Sequence, residues 1–386
     1  MQNVIPIQDH PSSTLTERYL SLDVLRGMTI ALMIIVNTPG SWQHIYPPLR
    51  HAAWHGFTVT DLVFPMFLFV IGNAMSFSMA KYAKMGDRQV IEKILKRAGI
   101  IFLLGLLLNA FPFITRSAEG ELVLKDFSAL RIMGVLQRIA LCYLIAGLLI
   151  HYLKLKGALL MGGIILLSYW IVMWYYGEVG HPYSLEGNAA LKFDIWIFAE
   201  KHLYKGFGIP FDPEGLLSTI PAAVNIIGGY WAGRLIQGSR SLNYKTGLFI
   251  FIALAMLAVG WWWDVIFPIN KPIWTSSYVL YTLGWSFLSL AILIVIIEKY
   301  KAKNWTYFFE VFGKNPLFIF ILSGALIKTM GIISISEMSL NAWIYQHFFL
   351  VWTEGKPASL LFAVFYMLLL WFIGLWLMKN RIYIKV

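Results

Sequence analysis

Apolar stretches close to twenty residues long recur along the whole chain, each ended by a short polar segment. Ten can be counted, at 22–37, 60–80, 98–113, 132–153, 158–176, 215–236, 246–263, 278–297, 315–333 and 358–378. A helix needs roughly 20 apolar residues to cross the hydrocarbon core of a bilayer. The pattern therefore predicts an all-α, polytopic membrane helix bundle of ten transmembrane helices. The first stretch is short and contains Asp23 and Arg26, so its polar end must be buried in protein or lie at the headgroups.

Composition agrees. Of 386 residues, 59% are hydrophobic and 13% are charged, about half the ~25% usual in soluble domains. A soluble globular enzyme is excluded as the default, because one core of this size would leave too much apolar surface in water. Ten spans would use roughly 200 residues, which leaves connecting loops but no separate soluble catalytic domain. Any chemistry must occur within the bundle or at its edges. The expected organisation is a disordered cytoplasmic tail over 1–18, polar and containing Pro6 and Pro11, without a cleavable signal peptide, followed by one transmembrane domain over 19–386.

The net charge of +11 does not point to nucleic acid, since the basic residues lie in short clusters between apolar stretches. One set of loops holds Lys81, Lys84, Arg88, Lys93, Lys96 and Arg97, then Lys154 and Lys156, Arg234, Arg240 and Lys245, Lys299, Lys301 and Lys303, and finally Lys379, Arg381 and Lys385. These seventeen face ten spread over longer loops on the other side. The positive-inside rule then puts both termini in the cytoplasm, as an even helix count requires. The outer loops include the run Trp261–Asp264, read as an aromatic interface belt, and the long connection 177–214, a partly folded cover or a substrate-binding element. The single cysteine, Cys142, excludes an intramolecular disulfide and a cysteine-rich metal site, and reads as a small buried apolar residue.

Polar residues concentrate near the start. Asn37 ends the first stretch, His51, Trp54 and His55 lie in the loop before the second, and Asp61 enters the second one turn before Pro65. An aspartate at the start of an apolar span is expensive unless bonded. It either caps the helix or orients a histidine for acid/base work; the residues alone favour neither. His51 and His55 have the i, i+4 spacing of a metal pair, but no third ligand follows and Pro47 and Pro48 argue for loop, so no metal is expected.

The stretches SLDVLRGMTIALMIIVN, HAAWHGFTVTDLVFPMFLFVIG, LRIMGVLQRIALCY and FDPEGLLSTIPAAVNIIGGYWAG, with FGKNPLFIF and WLMKNRIYIKV near the end, occur in this order. Together they resemble the heparan-alpha-glucosaminide N-acetyltransferase family of transmembrane acyltransferases. The resemblance implies a homologue without the luminal N-terminal extension, located in a bacterial cytoplasmic membrane. It implies transfer of an acetyl group from cytoplasmic acetyl-CoA to an amino-sugar or related glycan acceptor at the outer face. Carried over residue by residue, the family's catalytic histidine falls on His51, its asparagine on Asn37 and its aspartate on Asp61. His55 falls where the lysosomal member has asparagine and is given no catalytic role. Met133 stands where the family has proline, and the loop between Asn37 and His51 is longer than in the lysosomal member.

This topology sets a problem, because the donor is cytoplasmic, His51 lies toward the outer face, and ~30 Å of hydrocarbon separates the two sides. The donor must thread into the bundle with its nucleotide near the inner mouth. Arg26, Arg97, Lys314 and Asn315 are candidate contacts there, against the alternatives of snorkelling and orientation signalling. Arg138, beside Gln137 inside the fourth stretch, is a cofactor contact or a core-network residue. Asp212 and Glu214 cap the sixth helix or hold a cationic amino-sugar. His51 would serve as base toward an amine or hydroxyl, or carry the acetyl group itself, Asp61 would orient it, and Asn37 would donate to the oxyanion. A homodimer within the bilayer is compatible with the composition. A multi-pass transporter of amino sugars or acetylated sugars is the competing reading, weakened because no inverted repeat or pair of broken half-helices is apparent; an assembly subunit with a buried structural His51 is another.

Overall fold

The structure is a computed structural model that describes residues 19–82, 84–117 and 120–384. The expected tail over 1–18 lies outside the described residues. All ten expected stretches are helical. In chain order the helices are α1 (Leu20–Asn37), α2 (Val59–Tyr82), α3 (Asp87–Ala110), α4 (Val135–Tyr176), α5 (Ala189–Phe198), α6 (Leu216–Gln237), α7 (Leu242–Asp264), α8 (Ser276–Leu293), α9 (Thr306–Lys314), α10 (Pro316–Ile332), α11 (Leu340–Ile344) and α12 (Gly355–Lys379). Two minimal antiparallel hairpins, Ile114–Arg116 with Leu122–Leu124 and Ser334–Ile335 with Met338–Ser339, are the departure from an all-α chain.

Local chemistry sets several boundaries. Asn188 starts α5 by accepting from Leu191 N at 2.8 Å, and Ser241 starts α7. Helix α4 is 42 residues long but breaks at Lys154, where φ is 57°, so it contains two of the expected stretches end to end. Helix α2 carries Pro65 in its second turn. Proline has no N–H to offer the carbonyl four residues earlier, and that carbonyl, of Asp61, instead accepts the Tyr278 hydroxyl of α8 at 2.6 Å.

Among the described residues, six helices are long and apolar enough to cross a membrane: α1, α2, α4, α7, α8 with its π-helical extension to Lys299, and α12. A seventh is obtained if α9 and α10 are one broken span, bent by 82° at Asn315. The sequence pattern shows no broken half-helices; this one escapes it because α9 is amphipathic and precedes the apolar run. Helices α3 and α6 fall below that test. The first turns of α3 are charged, whereas α6 is rich in small and polar residues because protein surrounds it: Ala222, Ala223, Asn225 and Ile226 are fully buried. Large apolar side chains such as Leu160, Leu167 and Trp174 on α4, and Phe251 and Leu254 on α7, point outward. Exposed apolar surface on this scale requires lipid, and the protein is an integral membrane helix bundle.

Helices α2 and α6 pack backbone to backbone. A Cβ at Gly72 would lie 2.0 Å from Ile226 O, and one at Gly229 would lie 1.9 Å from Phe69 O. Small residues permit such approach between membrane helices. The long connections 38–58, 111–134, 177–215, 265–275 and 333–354 gather at one end of the bundle and are tied together there. Trp54 Nε1 donates to Tyr183 O at 2.8 Å, Gly56 N to Ile269 O at 2.8 Å, Gly40 N to Ser359 O at 3.2 Å and Arg116 Nη2 to Ile332 O at 2.9 Å. The opposite end carries the short basic turns.

Candidate functional site

The start of α2 builds the centre. Thr58 precedes the helix and Asp61 follows three residues later. The Asp61 carboxylate reaches back to accept from Thr58 N and Thr58 Oγ1, both at 3.0 Å, and from Ala52 N at 3.1 Å. This is one half of a capping box, the side chain three residues on reaching back to the amide at the helix start, while Asp61 N donates to Thr58 O at 3.1 Å. The other carboxylate oxygen lies 2.6 Å from His51 Nδ1. One carboxylate therefore both bonds the amide at the helix start and holds the imidazole. With Nδ1–H given to Asp61, the free lone pair of His51 is on Nε2. Asp61 is 1% exposed, while the His51 side chain is 46% exposed. The HAAWH segment is loop rather than helix, so His51 and His55 do not share a face. His55 turns instead to Asn270 Nδ2, 3.3 Å away, and burial pushes its pKa below the ordinary value, against the pull of Asp264.

His51 and Asp61 open onto a cavity of about 460 Å³. Asn37, at the end of α1, lines it too, without contacting either of them. Its walls are aromatic, with Trp42, Tyr204, Phe207 and Trp274. Two cations face it that the sequence marks only as loop charges. Lys271 Nζ lies 3.1 and 3.2 Å from the two ring nitrogens of His51, and 3.9 Å from Asp61 Oδ1. Burial lowers the Lys271 pKa, and Arg138 adds to this, while Asp61 and Glu214 oppose it. Arg131 grips Asp212 with two bonds, of 2.8 and 2.7 Å, reaches Glu214 at 2.5 Å and stacks on Tyr204. Burial raises the pKa of Glu214, but Arg131, Arg138 and Lys271 outweigh it and hold the carboxyl below its usual range. Asp212 and Glu214 thus neither cap α6 nor stand free for a cationic ligand. The signal that could have found Lys271 was a lysine in an Asn-Lys-Pro turn between two apolar helices.

The cap of α6 comes from α5. Asp194 Oδ1 accepts from Leu216 N at 2.9 Å and Leu217 N at 3.4 Å. Burial pushes its pKa up to about 7, although these two amides oppose the change. A carboxyl whose pKa is raised in the folded state holds its proton more tightly than in the unfolded chain. Stability therefore falls as pH rises from the unfolded value of about 4 to about 7, and is level above that. Asp194→Asn keeps the acceptor and removes the charge. It is expected to raise the unfolding temperature in detergent at pH 8, with a gain that vanishes toward pH 4. The gain amounts to ~1.4 kcal/mol for every tenfold difference in proton affinity between the folded and unfolded carboxyl. Equal melting of both proteins at pH 8 would contradict this.

The expected donor contacts divide. Arg26, Arg97 and Lys314 line one further cavity, of about 340 Å³, with Phe67, Val70 and Ala74 of α2. Arg97 stacks on Tyr143 at 4.9 Å, and its Nε is buried without a hydrogen-bond partner among the described residues. Asn315 is buried and committed to the chain's last described segment, donating to Ile382 O at 3.0 Å and accepting from Ile384 N at 2.8 Å. Arg138 lies elsewhere, in the first turn of α4 at the long-loop end. It donates to Thr219 Oγ1, Gly215 O and Ser218 Oγ, and stacks on Trp274 at 4.7 Å. It stands one layer behind the wall of the His51 cavity, in a polar network there, and not with Arg26 and Arg97, beside which the sequence reading groups it as an inner-level donor contact.

Residues 18–186 match the sequence model described as heparan-alpha-glucosaminide N-acetyltransferase, catalytic. That segment contains His51, Asp61, Asn37, Arg97 and Arg138. The human heparan-alpha-glucosaminide N-acetyltransferase (Homo sapiens) is 25% identical over 80% of this chain and 53% of its own length. The mouse protein of the same name (Mus musculus) is 24% identical over 79% of this chain and 53% of its own. The chain spans about half the length of these curated relatives. The matched segment carries the histidine–aspartate pair and the aligned region reaches across four fifths of the chain, so the likeness to the heparan-alpha-glucosaminide N-acetyltransferases includes the site.

Proposed function

We propose that this protein is an acetyltransferase that moves an acetyl group from acetyl-CoA, entering from the face with the short basic turns, to the amine of an amino sugar or related glycan at the long-loop face. The observation that carries the reading is the His51–Asp61 pair opening onto the aromatic-lined cavity. An imidazole whose Nδ1–H is turned to Asp61 presents its Nε2 lone pair, the group needed to take a proton from an attacking amine, and aromatic walls suit a sugar ring and an acetyl methyl. Asn37 lines the same cavity and supplies an amide donor to it.

The cavity lined by Arg26, Arg97 and Lys314 suits the phosphates of the donor, three cations around one space with an unpartnered guanidinium nitrogen among them. Both cavities lie along the same two helices. From Asn37 to Arg26 on α1 is roughly 16 Å, and from Asp61 to Val70 on α2 roughly 14 Å, at 1.5 Å per residue. A donor bound between them therefore has to bridge much less than the full bilayer. The charge asymmetry and the break in α4 support ten crossings with both termini in the cytoplasm and the long loops outside.

A transporter of amino sugars is the second reading, and the break between α9 and α10 favours it. One experiment separates the two. Oriented proteoliposomes receive labelled acetyl-CoA on the short-loop side and glucosamine on the other. Labelled N-acetylglucosamine is expected on the long-loop side, and Arg26→Ala or Lys314→Ala should raise the donor KM about tenfold, the loss of one charge-assisted bond worth ~1.5 kcal/mol. Sugar crossing unmodified, with acetyl-CoA untouched, would establish the transporter instead.

A further inference from the structure

Lys271 sits at the centre of the cavity without a task in the preceding reading. Its backbone is fixed by a tight turn. Asn270 Oδ1 accepts from Ile273 N at 2.9 Å, Trp274 N donates to Lys271 O at 3.0 Å, and Thr275 N donates to Asn270 O at 3.1 Å. Pro272 follows directly, and Asn270 is itself fully buried. From this turn the lysine side chain extends to His51.

The ammonium it delivers is short of acceptors. It is nearly equidistant from both ring nitrogens of His51, so it is not seated on one lone pair. With Nδ1–H turned to the Asp61 carboxylate 2.6 Å away, Nδ1 has no lone pair left for a second donor. Asp61 Oδ1, at 3.9 Å, is beyond hydrogen-bond range and already occupied. Glu214 lines the same cavity but is bonded to Arg131. Of three N–H groups, at most one therefore meets an acceptor among the described residues, the Nε2 lone pair. A largely buried cation with spare donors, 17% exposed and lining a cavity, is an arrangement that favours a new negative charge beside His51 Nε2.

We infer that Lys271 is the electrophilic residue of acyl transfer, donating through its ammonium to the thioester carbonyl oxygen as that oxygen becomes negative. This rests on the acetyltransferase reading and assigns a group within it. The acceptor amine nitrogen bonds to the carbonyl carbon while its proton passes to His51 Nε2. The carbonyl electron pair moves onto oxygen, where Lys271 and the Asn37 amide face it. The pair then returns as the carbon–sulfur bond breaks, and the departing thiolate takes the proton from His51. The products are the acetylated amine and free CoA thiol, and both residues are restored. The location explains why a lysine is present so close to a base that must itself become cationic: the oxyanion forms in the same step and offsets the two positive charges.

The test uses the full-length protein with Lys271→Met and Lys271→Arg. Loss of an oxyanion donor costs ~10²–10³ in kcat, so Lys271→Met should lose that much with donor KM changed only a few-fold, and Lys271→Arg should recover part of it. The second readout is the infrared carbonyl band of acetyl-CoA labelled with carbon-13 at the carbonyl, bound to His51→Ala so that turnover is suppressed. The band should lie below that of free acetyl-CoA and move back toward it in His51→Ala/Lys271→Met, which a merely structural lysine would not cause. If Lys271→Met does not fold, the band of wild-type lysine against Lys271→Arg decides, since a guanidinium displaced from the oxygen perturbs the carbonyl less. Transfer by Lys271→Met at the wild-type kcat, or a band indifferent to position 271, would overturn this inference and leave the acetyltransferase standing. A wild-type protein that neither binds nor consumes acetyl-CoA would overturn both.

Discussion

His51→Ala is expected to lower acetyl transfer by ~10²–10⁴, the usual cost of losing a general base, while leaving the fold and donor affinity nearly intact. The imidazole is half exposed, and the three cations that suit the donor phosphates line a separate cavity. His55→Ala should have a much smaller effect, because His55 faces Asn270 and not the Asp61 carboxylate. Asp61→Asn should lose most of the rate by presenting the wrong partner to Nδ1–H, yet keep much of the stability, since an amide oxygen still caps Thr58. Asp61→Leu removes the cap as well and should cost a further ~1–2 kcal/mol. Initial rates with labelled acetyl-CoA, beside thermal melts of each variant, check all four. An active His51→Ala with an inactive His55→Ala would move the site.

The second large effect concerns folding. Gly229→Ala should greatly reduce the yield of folded protein. Its added methyl meets the backbone oxygen of Phe69, which cannot turn aside as a flexible side chain would, and Gly72 makes the reciprocal approach to Ile226 O. Overpacking in a core typically costs about 1–3 kcal/mol and occasionally more, and here two helices must separate along their whole contact. Gly163→Ala on α4 is the control: nothing lies within 4 Å of its Cβ, and alanine there should gain up to ~1 kcal/mol of helix propensity. Monodispersity on gel filtration and the melting temperature would register the contrast. A Gly229→Ala protein as stable as wild type would refute the close packing of α2 on α6.

Much of this is legible in the sequence, for identifiable reasons. Apolar runs mark helices because lipid tolerates little else, so all ten stretches stand out. Asp61 is conspicuous because a carboxylate costs so much at the head of an apolar span. His51 is placed by the resemblance, and its distance to Asp61 comes only from the structure. Other residues hide behind context. Lys271 looks like one more loop charge, since only folding brings position 271 against position 51. Asp194 stands among many polar residues of a long connection, and nothing local says that it caps a helix twenty-two positions later. Arg138 is visibly costly, but its depth cannot be read, because a residue near the end of an apolar run belongs to either face until the helix start is known. The break at Asn315 is concealed because the amphipathic α9 does not look like half of a span.

The missing rung at Pro65 has a mechanical meaning. Asp61 holds His51 through its side chain, but its own carbonyl is held by the Tyr278 hydroxyl, from α8 across the bundle. The imidazole is thus registered against a second helix as well as its own. If lateral pressure or bilayer thickness slides α8 along α2, that displacement arrives at Asp61 first, through one hydrogen bond, and reaches the imidazole through the next. Two hydrogen bonds in series join α8 to the His51 imidazole.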